Sequence, residues 1–145
     1  MAEFLWGALT ALVSAGFGAF LSYFLGERKL RKELSIALRE ELGFNNILLG
    51  KFKTCLDEDV FLPRFYFNSY LTIRSRGMLV RLPSQVRFKL EEAYHSIQEW
   101  DDLSLSTNLG IRNIERQEMI GLKERIEKLQ NLIDELLDDL SKAKF

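Results

Sequence analysis

The sequence predicts an all-α protein: one N-terminal transmembrane helix continuing into a cytoplasmic antiparallel helical bundle that ends in a long heptad helix. Three observations predict it. An uncharged apolar run opens the chain, apolar residues recur at three- and four-residue steps through most of the remaining sequence, and no stretch of any length shows strand-like alternation. The 145 residues divide on this reading into an anchor, 1–26, and one helical domain, 27–145, large enough for a single core.

The run from Phe4 to Leu25 contains no charged residue. As a helix it is about 33 Å long, against roughly 30 Å of bilayer hydrocarbon. Trp6 and Tyr23 stand near its ends, where interfacial aromatics sit. Arg28, Lys29, Arg31 and Lys32 come directly after it and Arg39 soon after, whereas Met1–Glu3 supplies no Lys or Arg. Positive charge is retained on the cytoplasmic side, so the expectation is a single-pass protein of the cell membrane with its N-terminus outside. A cleaved signal peptide needs a basic leading region and a shorter apolar core, and a buried core helix rarely is apolar all round. Small residues recur inside the run: Gly7, Ala11, Ala15 and Ala19 form one stripe, and Ser14, Gly18 and Ser22 an adjacent one. They form a candidate face for helix packing in the membrane, either between copies or against a partner, although such residues are common in membrane helices generally.

Beyond the run, a helix over about 27–56 is predicted by Leu30, Leu34, Leu38, Leu42, Leu49, Phe52 and Leu56. Asn45 falls in this stripe, and a buried amide must find partners, so it is expected to fix register between helices. A short helix over about 63–76 is predicted with Pro63 in its first turn and Gly77 as its stop, pointing Phe65, Tyr70 and Ile73 inward. A third helix, about 84–108, carries Val86, Leu90, Ala93, Ile97 and Trp100. The last, about 111–142, repeats Met119, Leu122, Ile126, Leu129, Ile133, Leu136 and Leu140 over three heptads. Three stripes of similar length favour packing within the chain over a coiled-coil dimer.

Charge is unevenly spread. Residues 60–90 hold Arg64, Arg74, Arg76, Arg81, Arg87 and Lys89 and no acid, interleaved with aromatics. These six are candidate partner-binding residues. Internal pairing with Asp134, Glu135, Asp138 and Asp139 is the foremost expectation, a protein partner the second, and nucleic acid the weakest, since no recognised binding motif accompanies the patch. Anionic lipid is disfavoured by distance: a helix over 27–56 carries the chain about 45 Å outward before the segment begins, several Debye lengths at physiological salt.

Little in the sequence points to catalytic chemistry. His95, the only histidine, shares a helix face with Glu91 and Glu99, but a second strong metal ligand is missing. Cys55 has no second cysteine to pair with. Asp57, Glu58 and Asp59 lack calcium-loop spacing, and there is no phosphate-cradling glycine loop or serine elbow. No catalytic residue, metal, cofactor or small-molecule substrate is expected.

The order of an apolar anchor, ALREELGFNNILL (37–49), SRGMLVRLP (75–83), LEEAYHSIQEW (90–100) and a heptad tail resembles small single-pass prokaryotic membrane proteins with a cytosolic helical domain, a group without an established activity. The resemblance covers most of the chain and rests on structural motifs. It implies an anchored cytosolic bundle and brings no catalytic residues. The expected function is therefore a non-enzymatic interaction or scaffold module held at the bilayer, with a protein partner or further copies of itself. The alternatives are an accessory subunit of a larger membrane complex and, more weakly, binding of nucleic acid or anionic lipid through 60–90.

Overall fold

The computed structural model describes residues 2–58, 60–110 and 112–142, with the side chains of all of these except 2–13 and 116. Every regular element among them is helical: α1 (Ala2–Glu58), α2 (Asn68–Ser75), a 3-10 helix (Met78–Arg81), α3 (Ser84–Asn108) and α4 (Arg116–Lys142). The all-α prediction holds. The chain divides into two compact units, Met1–Leu34 and Ser35–Phe145.

The first unit is the opening part of α1. Its described side chains from Ser14 to Gly26 are all exposed, including Phe17, Phe20, Tyr23, Phe24 and Leu25. Past them the helix turns polar, with Arg31 against Glu27 and Lys29 against Glu33. Among the described residues no helix is long and apolar enough to cross a membrane. The predicted span begins at Phe4, and its portion Phe4–Val13, with Gly7 and Ala11 of the small-residue face, lies outside the described side chains.

In the second unit the remainder of α1 packs with α3 and α4. Most of the predicted stripe residues form its core, whereas Leu30, Leu34 and Met119 are only partly buried. Leu38, Leu42, Leu49, Phe52 and Leu56 of α1, Leu90, Ala93, Ile97 and Trp100 of α3, and Leu122, Ile126, Leu129, Ile133, Leu136 and Leu140 of α4 are all buried. Phe52 meets Trp100 edge-on at 5.3 Å between ring centres. Charged pairs along the seams give the directions. Lys53 pairs with Glu127 and Asp57 with Lys123, while Arg125 reaches Glu99 and Lys89 reaches Glu135 and Asp139. As residue numbers rise along α1 or α3 they fall along α4, so α4 is antiparallel to both. Hence α1 and α3 run parallel, and the chain between them must travel back the length of the bundle.

Residues 60–67 make that return, and here the structure departs from the predicted helix over 63–76. The segment is extended, and α2 starts only at Asn68. Backbone groups of Leu62, Pro63, Phe65 and Tyr66 are satisfied by side chains of the two helices that the segment lies against. Asn108 donates to the Leu62 carbonyl and accepts from its N–H, both at 2.9 Å. Ser104 donates to the Pro63 carbonyl, and Asp101 accepts from Phe65 N–H. Asn45 does for Tyr66 what Asn108 does for Leu62, accepting from its N–H and donating to its carbonyl. Asn45 is fully buried, as a register-fixing amide should be, but the correction is that it fixes an extended strand of chain rather than a neighbouring helix. Glu41 continues the series, accepting from Ser69 and Tyr70 N–H in the first turn of α2 and from the Tyr94 hydroxyl. A carboxylate at a helix N-terminus satisfies donors that the helix leaves open and favours its dipole. Gly77, at φ 65°, supplies the left-handed turn between α2 and the 3-10 helix.

Candidate functional site

The return path decides where the basic residues lie. Tyr66 sits level with Asn45, and Ser69 and Tyr70 with Glu41. The segment therefore descends α1 toward its lower residue numbers. Continuing the same way, the end of α2, the 3-10 helix and the first turns of α3 close the end of the bundle at which α1 enters it, near Ser35–Leu42. The predicted position at the far tip is thus corrected. A chain that climbs α1 and comes straight back gives up the height it gained.

The six predicted binding residues separate into two groups. Arg64 forms a two-pronged bond with Asp101, both contacts at 2.7 Å. Burial pushes the Asp101 carboxyl up, but the Arg64 hydrogen bond, Phe65 N–H and the Arg64 charge together hold it below the ordinary carboxyl range. The same pairing raises the guanidinium. Arg64 is thus part of the seam that holds 60–67. Lys89 donates to Glu135 at 2.9 Å and to Asp139 at 3.2 Å, which raises its ammonium, and so bridges α3 to α4. Internal neutralisation accounts for these two.

Arg74, Arg76, Arg81 and Arg87 enter no ion pair among the described residues, and the first three are exposed. Around them three apolar side chains also face solvent: Leu71, Val80 at 73% exposure and Phe88 at 63%. The Arg87 guanidinium lies 5.5 Å from the Phe88 ring centre, a cation–π arrangement. Met78, Leu79 and Leu82 beneath are buried and fasten the loop to the core. The result is an exposed patch with charge on its surface and an apolar anchor below.

Beside the patch, α2 and α3 enclose a half-open groove of about 480 Å³. The Tyr70 and Tyr94 rings, stacked at 4.0 Å, are among its walls. Burial keeps both phenols protonated well above their ordinary value. Arg74, Glu91, His95 and Asp102 also line it, and His95 is largely exposed, 3.5 Å from Glu99. Among the described residues no three of His, Cys, Asp and Glu converge closely enough to hold a metal ion. Cys55 is a half-buried free thiol.

Of the small-residue face, Ser14, Ala15, Gly18, Ala19 and Ser22 are exposed on the first unit. Sequence reasoning missed Glu41, Asp101, Ser104 and Asn108 as a set. Their spacing was a usable signal: polar residues three and four apart on otherwise apolar helix faces imply something polar lying along them. Compared with protein-family models, with curated proteins and with solved structures, the chain matches none of them.

Proposed function

We propose that the protein is a membrane-tethered helical interaction module, with the opening part of α1 spanning the bilayer, the N-terminus outside and the bundle in the cytoplasm. One observation carries this reading. The uncharged run Phe4–Leu25 leads without a break in α1 into Arg28, Lys29, Arg31 and Lys32, and the large apolar side chains described within it are exposed. Exposed Phe17, Phe20, Leu21 and Phe24 are costly in water, about 1.5–3 kcal/mol each relative to burial, and stable in hydrocarbon. The four cations beyond the run favour staying on the cytoplasmic side. The bundle then serves as the part that meets other proteins, and the small-residue face of the span supports self-association. An accessory subunit of a larger membrane complex is the second reading, favoured by the same face if it docks to a different span.

The test is extraction and topology. The full chain in native membranes is expected to resist alkaline carbonate, and its C-terminal bundle to survive protease added from outside. Release by carbonate, or digestion of the bundle in sealed cells, overturns the reading. Native mass spectrometry then separates a homo-oligomer from a fixed mixed stoichiometry.

A further inference from the structure

We propose that the arginine patch at the entry end of the bundle, Arg74, Arg76, Arg81 and Arg87 with Val80 and Phe88, docks onto the anionic headgroup surface of the bilayer that holds α1. The inference rests on the membrane-anchor reading and adds to it a second, electrostatic attachment.

Distance permits the contact. The return of 60–67 brings the patch to the end of the bundle where the packed part of α1 begins, not the end farthest along the chain from the uncharged run. The patch shares its end of the bundle with the residues just past Ser35, whose levels are fixed by the Glu41 and Asn45 bonds. From Leu25 to Ser35 the chain contour is about 15 Å as helix. The tether between the uncharged run and the bundle is thus about two Debye lengths long, at roughly 8 Å each.

Composition matches the surface. Residues 60–90 contain no carboxylate, and Glu135 and Asp139 of α4 are engaged by Lys89. Arg74, Arg76 and Arg81 are exposed, Arg87 is partly exposed, and none of the four enters an ion pair among the described residues. Arginine forks pair with phosphate oxygens through two parallel bonds. Phe88 and Val80, exposed between them, are of the type that enters the headgroup boundary. Phe88 is a single exposed ring beside the Arg87 guanidinium, and the Tyr70 and Tyr94 rings of the neighbouring groove are buried against each other, whereas single-stranded nucleic acid is held by successive exposed stacking rings. Lipid is the better fit.

The test uses the full chain with Cys55→Ser and Val80→Cys, the new thiol carrying an environment-sensitive dye, reconstituted in phosphatidylcholine vesicles with or without brominated phosphatidylglycerol. Quenching of the dye by the brominated anionic lipid is expected at moderate salt and absent with brominated phosphatidylcholine alone. Each Arg→Gln change among the four is expected to lower the docked-to-undocked ratio about fivefold, from roughly 1 kcal/mol per cation, with circular dichroism unchanged. No quenching from a chain that stays in carbonate-washed vesicles overturns the inference and leaves the anchor standing. A chain that washes off neutral vesicles overturns the anchor instead, and quenching by added anionic vesicles then decides the patch alone. Arginine-dependent binding of a single-stranded oligonucleotide without any lipid quenching also overturns it.

Discussion

Two stretches of chain pack onto the same α1–α3 pair by opposite means. The helix α4 brings its own hydrogen bonds and contributes a row of aliphatic side chains, with its charges at the rim. The segment 60–70 brings unpaired backbone and contributes few buried side chains, Leu62, Phe65 and Tyr70 among them. It is held by Asn108, Ser104, Asp101, Asn45 and Glu41, most of them wholly or largely buried. The difference teaches where specificity resides. Aliphatic packing tolerates substitutions of similar volume. A buried amide or carboxylate facing two or three backbone groups tolerates almost none, because its loss orphans every partner.

The largest expected effect breaks the comparison if it fails. Glu41→Leu strips the acceptor from Ser69 N–H, Tyr70 N–H and the Tyr94 hydroxyl. At 1–3 kcal/mol per orphaned group and partial relief by water, a loss of about 4 kcal/mol is expected. Leu136→Ala, a fully buried heptad position, is expected to cost about 3 kcal/mol. Chemical unfolding of the full chain in mild detergent measures both. If Glu41→Leu proves the milder of the two, the polar seam is ornament and the aliphatic core holds the return segment.

A smaller effect sharpens the comparison through pH. Arg64→Gln leaves Asp101 with Phe65 N–H as its remaining donor, and a loss of about 1–2 kcal/mol at neutral pH is expected, modest because the guanidinium is half exposed. The sign comes from the lowered Asp101 carboxyl. A group whose folded pKa lies below its unfolded value of 3.8 stabilises the fold above that value and loses the contribution as pH falls through the folded pKa. The gap between wild type and Arg64→Gln should therefore be full above 3.8 and close in more acid solution. A gap independent of pH assigns the role of Arg64 to packing alone.

Both of these effects fall on the part of the molecule that the sequence conceals. Helix α3, read over about 84–108, spans Ser84–Asn108, and the heptads of α4 mark its buried face, because a repeat of 3.5 residues reports burial directly, although α4 begins at Arg116 rather than near 111. Pro63 reads as the first turn of a helix, yet it begins the portion of chain that Ser104, Asp101 and Asn45 hold extended, partners that lie 21 to 41 residues away. No local pattern records a partner at that separation. The same contacts set the position of the arginine patch. Its charge is plain in the sequence, while its place in the bundle depends on a reversal that only the seam enforces. Arg64 and Lys89 look like the other four cations for the same reason, since Asp101, Glu135 and Asp139 are distant in sequence.

The smallest expected effect lies on the α4 side. Lys53–Glu127 and Asp57–Lys123 cross between α1 and α4 with their carboxylates more than half exposed. Contact with a cation lowers the Glu127 carboxyl, its hydrogen bond to Lys53 contributing most. Exposed pairs gain little, since water competes for both charges and two long side chains must be ordered. Lys53→Gln with Lys123→Gln is expected to shift the unfolding midpoint less than Glu41→Leu, Leu136→Ala or Arg64→Gln. The difference from wild type should shrink further as salt is raised, because the Debye length falls to about 3 Å at 1 M. The Glu41 and Asn45 contacts, sealed from ions, should keep their effect at the same salt. A double lysine variant that loses several kcal/mol, or a Glu41 variant whose deficit melts away in salt, would reverse the assignment: the rim would then be the attachment, and the seam merely the filling beneath it.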